Sequence, residues 1–112
     1  MSIKDNTDEP IRKLIEKVCD FLIENKKFPN HVCFDVPRSF YLAHVIIEKD
    51  LIHDDEWRLQ VGVTEDGSDK IFSSFLNHDT QENLLELLNS AQIRDTIFDS
   101  IKELHSRAEQ DD

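Results

Sequence analysis

The sequence predicts an α+β domain in which a small antiparallel sheet of about three strands packs against about four helices. Three observations lead there. Trp57, Leu59, Val61 and Val63 alternate with Arg58, Gln60, Gly62 and Thr64, the period of a strand with one buried face. Asp66-Gly67, just beyond, is a strong hairpin-turn signal. On either side, apolar residues recur at intervals of three and four, as on amphipathic helices. The expected elements are a central hairpin over residues 56–77 and helices over 8–26, 38–50, 80–89 and 91–108.

A chain of 112 residues fits one domain, 1–112, with mobile ends at about 1–7 and 109–112. Its 38% hydrophobic and 33% charged residues, with 2 Gly and 3 Pro, describe a folded, helix-rich chain rather than a disordered one. In the first helix Thr7 or Asp8 suits the cap, Pro10 the first turn, and Ile11, Leu14, Ile15, Val18, Cys19 and Leu22 form the apolar stripe. Phe28-Pro29-Asn30 ends it. Val32, Phe34 and Val36 then alternate with Cys33 and Asp35, giving a short third strand for the hairpin that Pro37 closes.

Arg38 to Asp50 is ambiguous. Phe40, Ala43, Ile47 and Leu51 share a helical face and Pro37 fits a first turn, so the segment is taken as a buried helix; the β-branched run Val45-Ile46-Ile47 keeps a strand open as the alternative. A two-residue turn at Asp66-Gly67 sets Val61 opposite Phe72, Leu59 opposite Ser74 and Trp57 opposite Leu76, whereas a shift of one residue buries Ile71 and Phe75 instead. Asp79 with Glu82 resembles a capping box for a helix carrying Leu84, Leu85, Leu87 and Leu88. Ser90 caps the last helix, whose stripe is Ile93, Ile97, Phe98, Ile101, Leu104 and Ala108.

Most chemistry is excluded by what is missing. Two glycines, Gly62 in a strand and Gly67 in a turn, leave no phosphate-binding loop. Cys19 and Cys33 lack metal-type spacing and are expected as half-buried free thiols in a reducing compartment. No catalytic Cys/His or paired-carboxylate arrangement stands out, so no enzyme is expected. Metal ligands crowd at His53-Asp54-Asp55-Glu56, and His78-Asp79 lies at the far end of the same hairpin, where His53 and His78 can approach. The simpler reading is an exposed acidic turn with a solvent-facing histidine, and neither metal nor other cofactor is expected. His44, on an apolar run, is expected in a hydrogen-bonded core or rim position, and His31 and His105 on the surface.

Charge is the remaining signal. Asp and Glu number 24 against 13 Lys and Arg, a formal net charge of -11. Basic residues are scattered, so direct nucleic-acid binding is not expected; the acidity disfavours anionic membranes, and the polar N-terminus lacks the pattern of an export signal, giving a cytoplasmic expectation. Glu16, Asp20 and Glu24 on the first helix, and Asp95, Asp99 and Glu103 on the last, recur every four residues, about 6 Å apart along each axis. Glu65, Asp66 and Asp69 at the hairpin turn, followed by Asp79, Glu82 and Glu86, make an acidic stretch interrupted by Lys70. Like charges at i,i+4 slightly destabilise a helix, so local stability does not select them. Glu16, Asp20, Glu24, Glu65, Asp66, Asp69, Glu82, Glu86, Asp95, Asp99 and Glu103 are therefore the candidate contacts to a basic partner. A DNA- or RNA-binding protein, covered by a mimic of its nucleic acid, is the first expectation. A basic toxin neutralised by an immunity protein or antitoxin is the second, with Phe28, Tyr41 or Phe75 as a compact set of apolar anchors, and a small metal-dependent enzyme or sensor the third.

Overall fold

The computed structural model describes residues 8–110. The order is α1 (Asp8–Asn25), β1 (Asn30–Asp35), β2 (Tyr41–Lys49), β3 (Trp57–Glu65), β4 (Ile71–Asp79), α2 (Gln81–Leu88) and α3 (Ala91–Gln110). The four strands form one antiparallel meander, β1-β2-β3-β4. The α+β class is as expected, with four strands instead of about three and three helices instead of about four among the described residues.

The difference lies at residues 38–50, where strand β2 (Tyr41–Lys49) stands in place of the expected helix. Its β-branched residues favour the pleated backbone, and the segment is central, with β1 on one side and β3 on the other. Ala43, Val45 and Ile47 turn toward the helices, which explains a run with hardly any polar positions. Pro37 opens a turn instead of a helix. Arg38 takes a left-handed φ of 62°, Ser39 Oγ donates to the Val36 carbonyl, and Val36 N–H donates to Tyr41 O at 2.9 Å. β1 consequently pairs with β2, Val32 opposite Val45 and Phe34 opposite Ala43, and not with the hairpin directly.

The β3–β4 loop is longer than two residues. Val63 lies opposite Phe72 and Val61 opposite Ser74, a displacement of two from the tight-turn register. An even displacement leaves the side chains from Ile71 to Phe75 on their expected faces, so Phe72 packs against the core while Ile71 and Phe75 remain 45% and 49% exposed. Between Leu59 and Gln60 the register slips: Gln60 faces Phe75, Leu59 faces Asn77, and Leu76 is the extra residue of a β-bulge. Beyond it Arg58 faces His78 and Trp57 faces Asp79.

The helices cover one face of the sheet. Ile11, Ile15, Val18, Cys19 and Leu22 of α1, Leu84 and Leu88 of α2, and the expected α3 stripe close over Ala43, Val45, Ile47, Leu59, Val61 and Val63. α1 ends where Lys26 adopts φ 51° and donates its N–H to the Leu22 carbonyl. Thr80, not Asp79, caps α2: its hydroxyl accepts from Asn83 N–H, while Asp79 Oδ1 accepts from Thr80 N–H and the Asn83 amide. Ser90 Oγ accepts from Ile93 N–H at the start of α3, as expected. Of the expected mobile ends, 1–7 and 111–112 lie outside the described residues; Glu109 and Gln110 continue α3.

The opposite sheet face carries His31, Cys33, Leu42, His44, Ile46, Gly62, Thr64, Ile71, Ser73 and Phe75, with no helix above them among the described residues. Ile71 lies across Gly62, its Cδ1 2.8 Å from where a Cβ would stand. Leu59→Ala, at a fully buried inner position, should cost about 2–5 kcal/mol, while Ile71→Ala on the open face costs no more than about 1 kcal/mol. Urea unfolding midpoints at unchanged m-value measure both.

Candidate functional site

All eleven candidate carboxylates are exposed, but they do not share one face. Glu65, Asp66 and Asp69 surround the β3–β4 turn, which meets the β1–β2 turn where Asp66 N–H donates to Phe40 O at 2.7 Å. Glu82 and Glu86 sit on α2, beyond the far end of β4. Nine residues of strand, on the order of 25–30 Å, divide what is continuous in the sequence. Glu16, Asp20 and Glu24 on α1, with Asp95, Asp99 and Glu103 on α3, occupy the solvent side of the helical layer.

Two of these charges are consumed within the molecule. Arg12 Nη1 reaches Asp95 Oδ1 at 2.8 Å and Arg94 Nη2 reaches Asp20 Oδ1 at 2.9 Å, while Lys102 pairs with Asp8 at 2.7 Å. These contacts join α1 to α3, and Arg12 also stacks over the Phe98 ring, 4.0 Å from its centroid. A groove of about 290 Å³ opens beside the joint, lined by Arg12, Ile15, Glu16, Asn89, Ala91, Arg94 and Asp95. Its two arginines are matched by carboxylates, so it offers no cationic pocket. Subtracting Asp20 and Asp95 from the eleven leaves nine, none with an ion-pair partner among the described residues.

A different cluster forms where β2 turns into β3. Asp50 Oδ1 accepts from Ile52 N–H at 2.7 Å and His53 N–H at 3.1 Å, shaping the loop. Asp50 N–H to Glu56 O and Glu56 N–H to His53 O close its base. The slipped register of β4 brings His78 alongside, and one ligand atom from each of Asp50, His53, Glu56 and His78 lies within 4.8 Å of the others. The His53 and His78 rings stack with centroids 6.0 Å apart. The two backbone donors, Ile52 first and then His53, hold the Asp50 carboxyl below its ordinary 3.8. The approach of His53 to His78 was legible in the sequence; Asp50, inside the segment taken as a helix, was not.

On the open face His31 Nε2 meets His44 Nδ1 at 2.9 Å, and His44 Nε2 meets Thr64 Oγ1 at 2.8 Å. His44 is buried and hydrogen-bonded, as expected, and burial, then the neighbouring His31, lower its pKa from 6.5. His105 is not a surface residue: its ring packs edge-on against Tyr41, 4.8 Å between centroids, with Nε2 buried. The cysteines are both free but unlike: Cys19 is fully buried in α1, its thiol pushed up to about 11 by burial, and Cys33 is exposed on β1.

Among the described residues no helix is long and apolar enough to cross a membrane. Comparison with protein families, curated proteins and solved structures finds no match to this chain.

A charged thiol is required for alkylation, so iodoacetamide should modify Cys33 alone in the native protein and both cysteines in denaturant, read as one and two adducts by mass spectrometry. His44 gives a pH dependence. Its folded pKa lies below the unfolded value, so the unfolded chain binds the proton first; stability is complete above pH 6.5 and falls as pH drops below it. His44→Gln should flatten the loss of melting temperature between about pH 6.5 and 5, a window above that in which Asp50 and Asp79 titrate.

Proposed function

We propose that this protein is a non-enzymatic, cytoplasmic binding protein that docks carboxylates onto a basic partner, occupying the surface with which that partner holds DNA or RNA. The observation that carries this reading is the set of nine exposed carboxylates that pair with no cation among the described residues, held mostly on or next to regular secondary structure. On α3, Asp99 and Glu103 stand about 6 Å apart along the axis on a helix fixed by a buried stripe, so little conformational entropy is lost when a partner binds. The charge also steers encounter with a basic surface at rates that fall with salt. The outer side of α1 and α3 is the favoured docking side, because the turn and α2 carboxylates lie at opposite ends of the sheet.

An immunity protein or antitoxin bound to a basic toxin is the alternative. Phe28 packs on Trp57, Tyr41 on His105 at the other end of the sheet, and Phe75 lies on the open face, so these three do not supply one compact anchor. Leu51 and Ile52, 90% and 83% exposed on the β2–β3 loop, are the anchors this alternative would use.

Capture of partners from a lysate at low and high salt, followed by competition with DNA, separates the two. Mimicry predicts a basic partner, released by salt and displaced by DNA. Asp99→Lys with Glu103→Lys, which leaves the Arg12–Asp95 and Arg94–Asp20 pairs intact, should weaken capture at least about tenfold at low salt. An acidic partner, or one indifferent to DNA, rejects mimicry. Loss of capture in Leu51→Ser with Ile52→Ser, but not on charge reversal, favours the alternative.

A further inference from the structure

We propose that Asp50, His53, Glu56 and His78 form a binding site for a first-row divalent transition-metal ion, with zinc the closest match. The site is independent of the docking reading. Its first support is convergence from separate parts of the chain. Asp50 follows β2, His53 and Glu56 belong to the loop, and His78 comes from β4, yet one ligand atom of each lies within 4.8 Å of the other three.

The second support is that these groups face one another without bonding. His53 Nδ1 is 3.6 Å from Asp50 Oδ1 and 4.0 Å from Glu56 Oε1, and His78 Nε2 is 3.5 Å from Glu56 Oε1. All three exceed the roughly 2.7–3.2 Å of a good hydrogen bond. They lie closer to a different spacing. Tetrahedral zinc with bonds of about 2.0–2.1 Å sets its ligand atoms about 3.3 Å apart. Closing from 4.8 Å or less to that spacing takes small side-chain rotations, which the half-exposed His53 and His78 can make.

Ligand chemistry selects the ion. Two imidazoles favour a transition metal over magnesium or calcium, which prefer oxygen alone. Two carboxylates balance the 2+ charge, so the filled site is electrically neutral with neutral imidazoles. Four protein ligands leave no open position for a reacting water, which makes the site structural, a clamp between the β2–β3 loop and β4. The backbone bonds from Ile52 and His53 to Asp50, and the pairing of Arg58 with His78, hold two of the ligands in place before the ion arrives.

Calorimetric titration of the EDTA-stripped full chain with zinc chloride tests the site. One saturable equivalent per chain is expected, with a rise in melting temperature. His53→Ala and His78→Ala should each weaken binding at least about a hundredfold, at or beyond the top of the tenfold to hundredfold range for losing an outer-sphere partner. Asp54→Asn with Asp55→Asn, which retains all four ligands, should bind as the parent does. Circular dichroism without metal checks that each variant is folded, and His78→Gln replaces His78→Ala if that variant is not. Absence of saturable zinc binding overturns the proposal. So does binding that survives both histidine substitutions but is lost in the Asp54/Asp55 variant, since diffuse attraction by an acidic loop then accounts for it.

Discussion

The structure depends on burying one face of one sheet. Ala43, Val45, Ile47, Leu59, Val61 and Val63 on the two central strands meet the stripes of α1, α2 and α3. Full burial contributes about 1.5–3 kcal/mol for each of the larger side chains, far more than the exposed ion pairs that join α1 to α3. Because α1 precedes the meander and α2 and α3 follow it, the sheet is completed before its cover closes in sequence. Polar groups are left to the open sheet face, where His31, His44 and Thr64 hydrogen-bond, and to the strand ends, the turns and the outer sides of the helices.

This explains which parts of the fold were legible. A face buried on one side and open on the other writes alternation into the sequence, and Trp57 to Val63 shows it plainly. The hairpin faces were read correctly although the register was not, since a loop longer by two residues preserves parity. β2 was not legible as a strand. It has Ala43, Val45 and Ile47 beneath the helices and Leu42, His44 and Ile46 only partly exposed or buried among strand neighbours on the open side, so the alternation of polar and apolar residues is lost. His44 draws its surroundings from His31 and Thr64, 13 and 20 residues away, which no local pattern reveals. Individual carboxylates were readable as exposed, but their distribution was not, because β4 carries Glu65 and Glu82 to opposite ends of the sheet.

The basic residues shape the electrostatics as much as the acids do. Arg12, Arg94 and Lys102 are all drawn into the α1–α3 joint, each against a carboxylate. What these cations neutralise is local, and the net charge of -11 is expressed elsewhere on the surface. The unpaired acids leave a field that a basic molecule would feel beyond contact distance.

The bulge at Leu76 divides β4 into two frames. Upstream of it, even-numbered residues such as Phe72 and Ser74 face inward; downstream the parity inverts, so that His78 shares the outer side of Arg58 while Asp79 falls in line with Trp57. An uninterrupted strand would place His78 opposite Trp57, beneath the helices and away from His53. One inserted residue thus lets the same strand serve hydrophobic packing along most of its length and present a polar side chain at its exit, and its deletion would exchange the two.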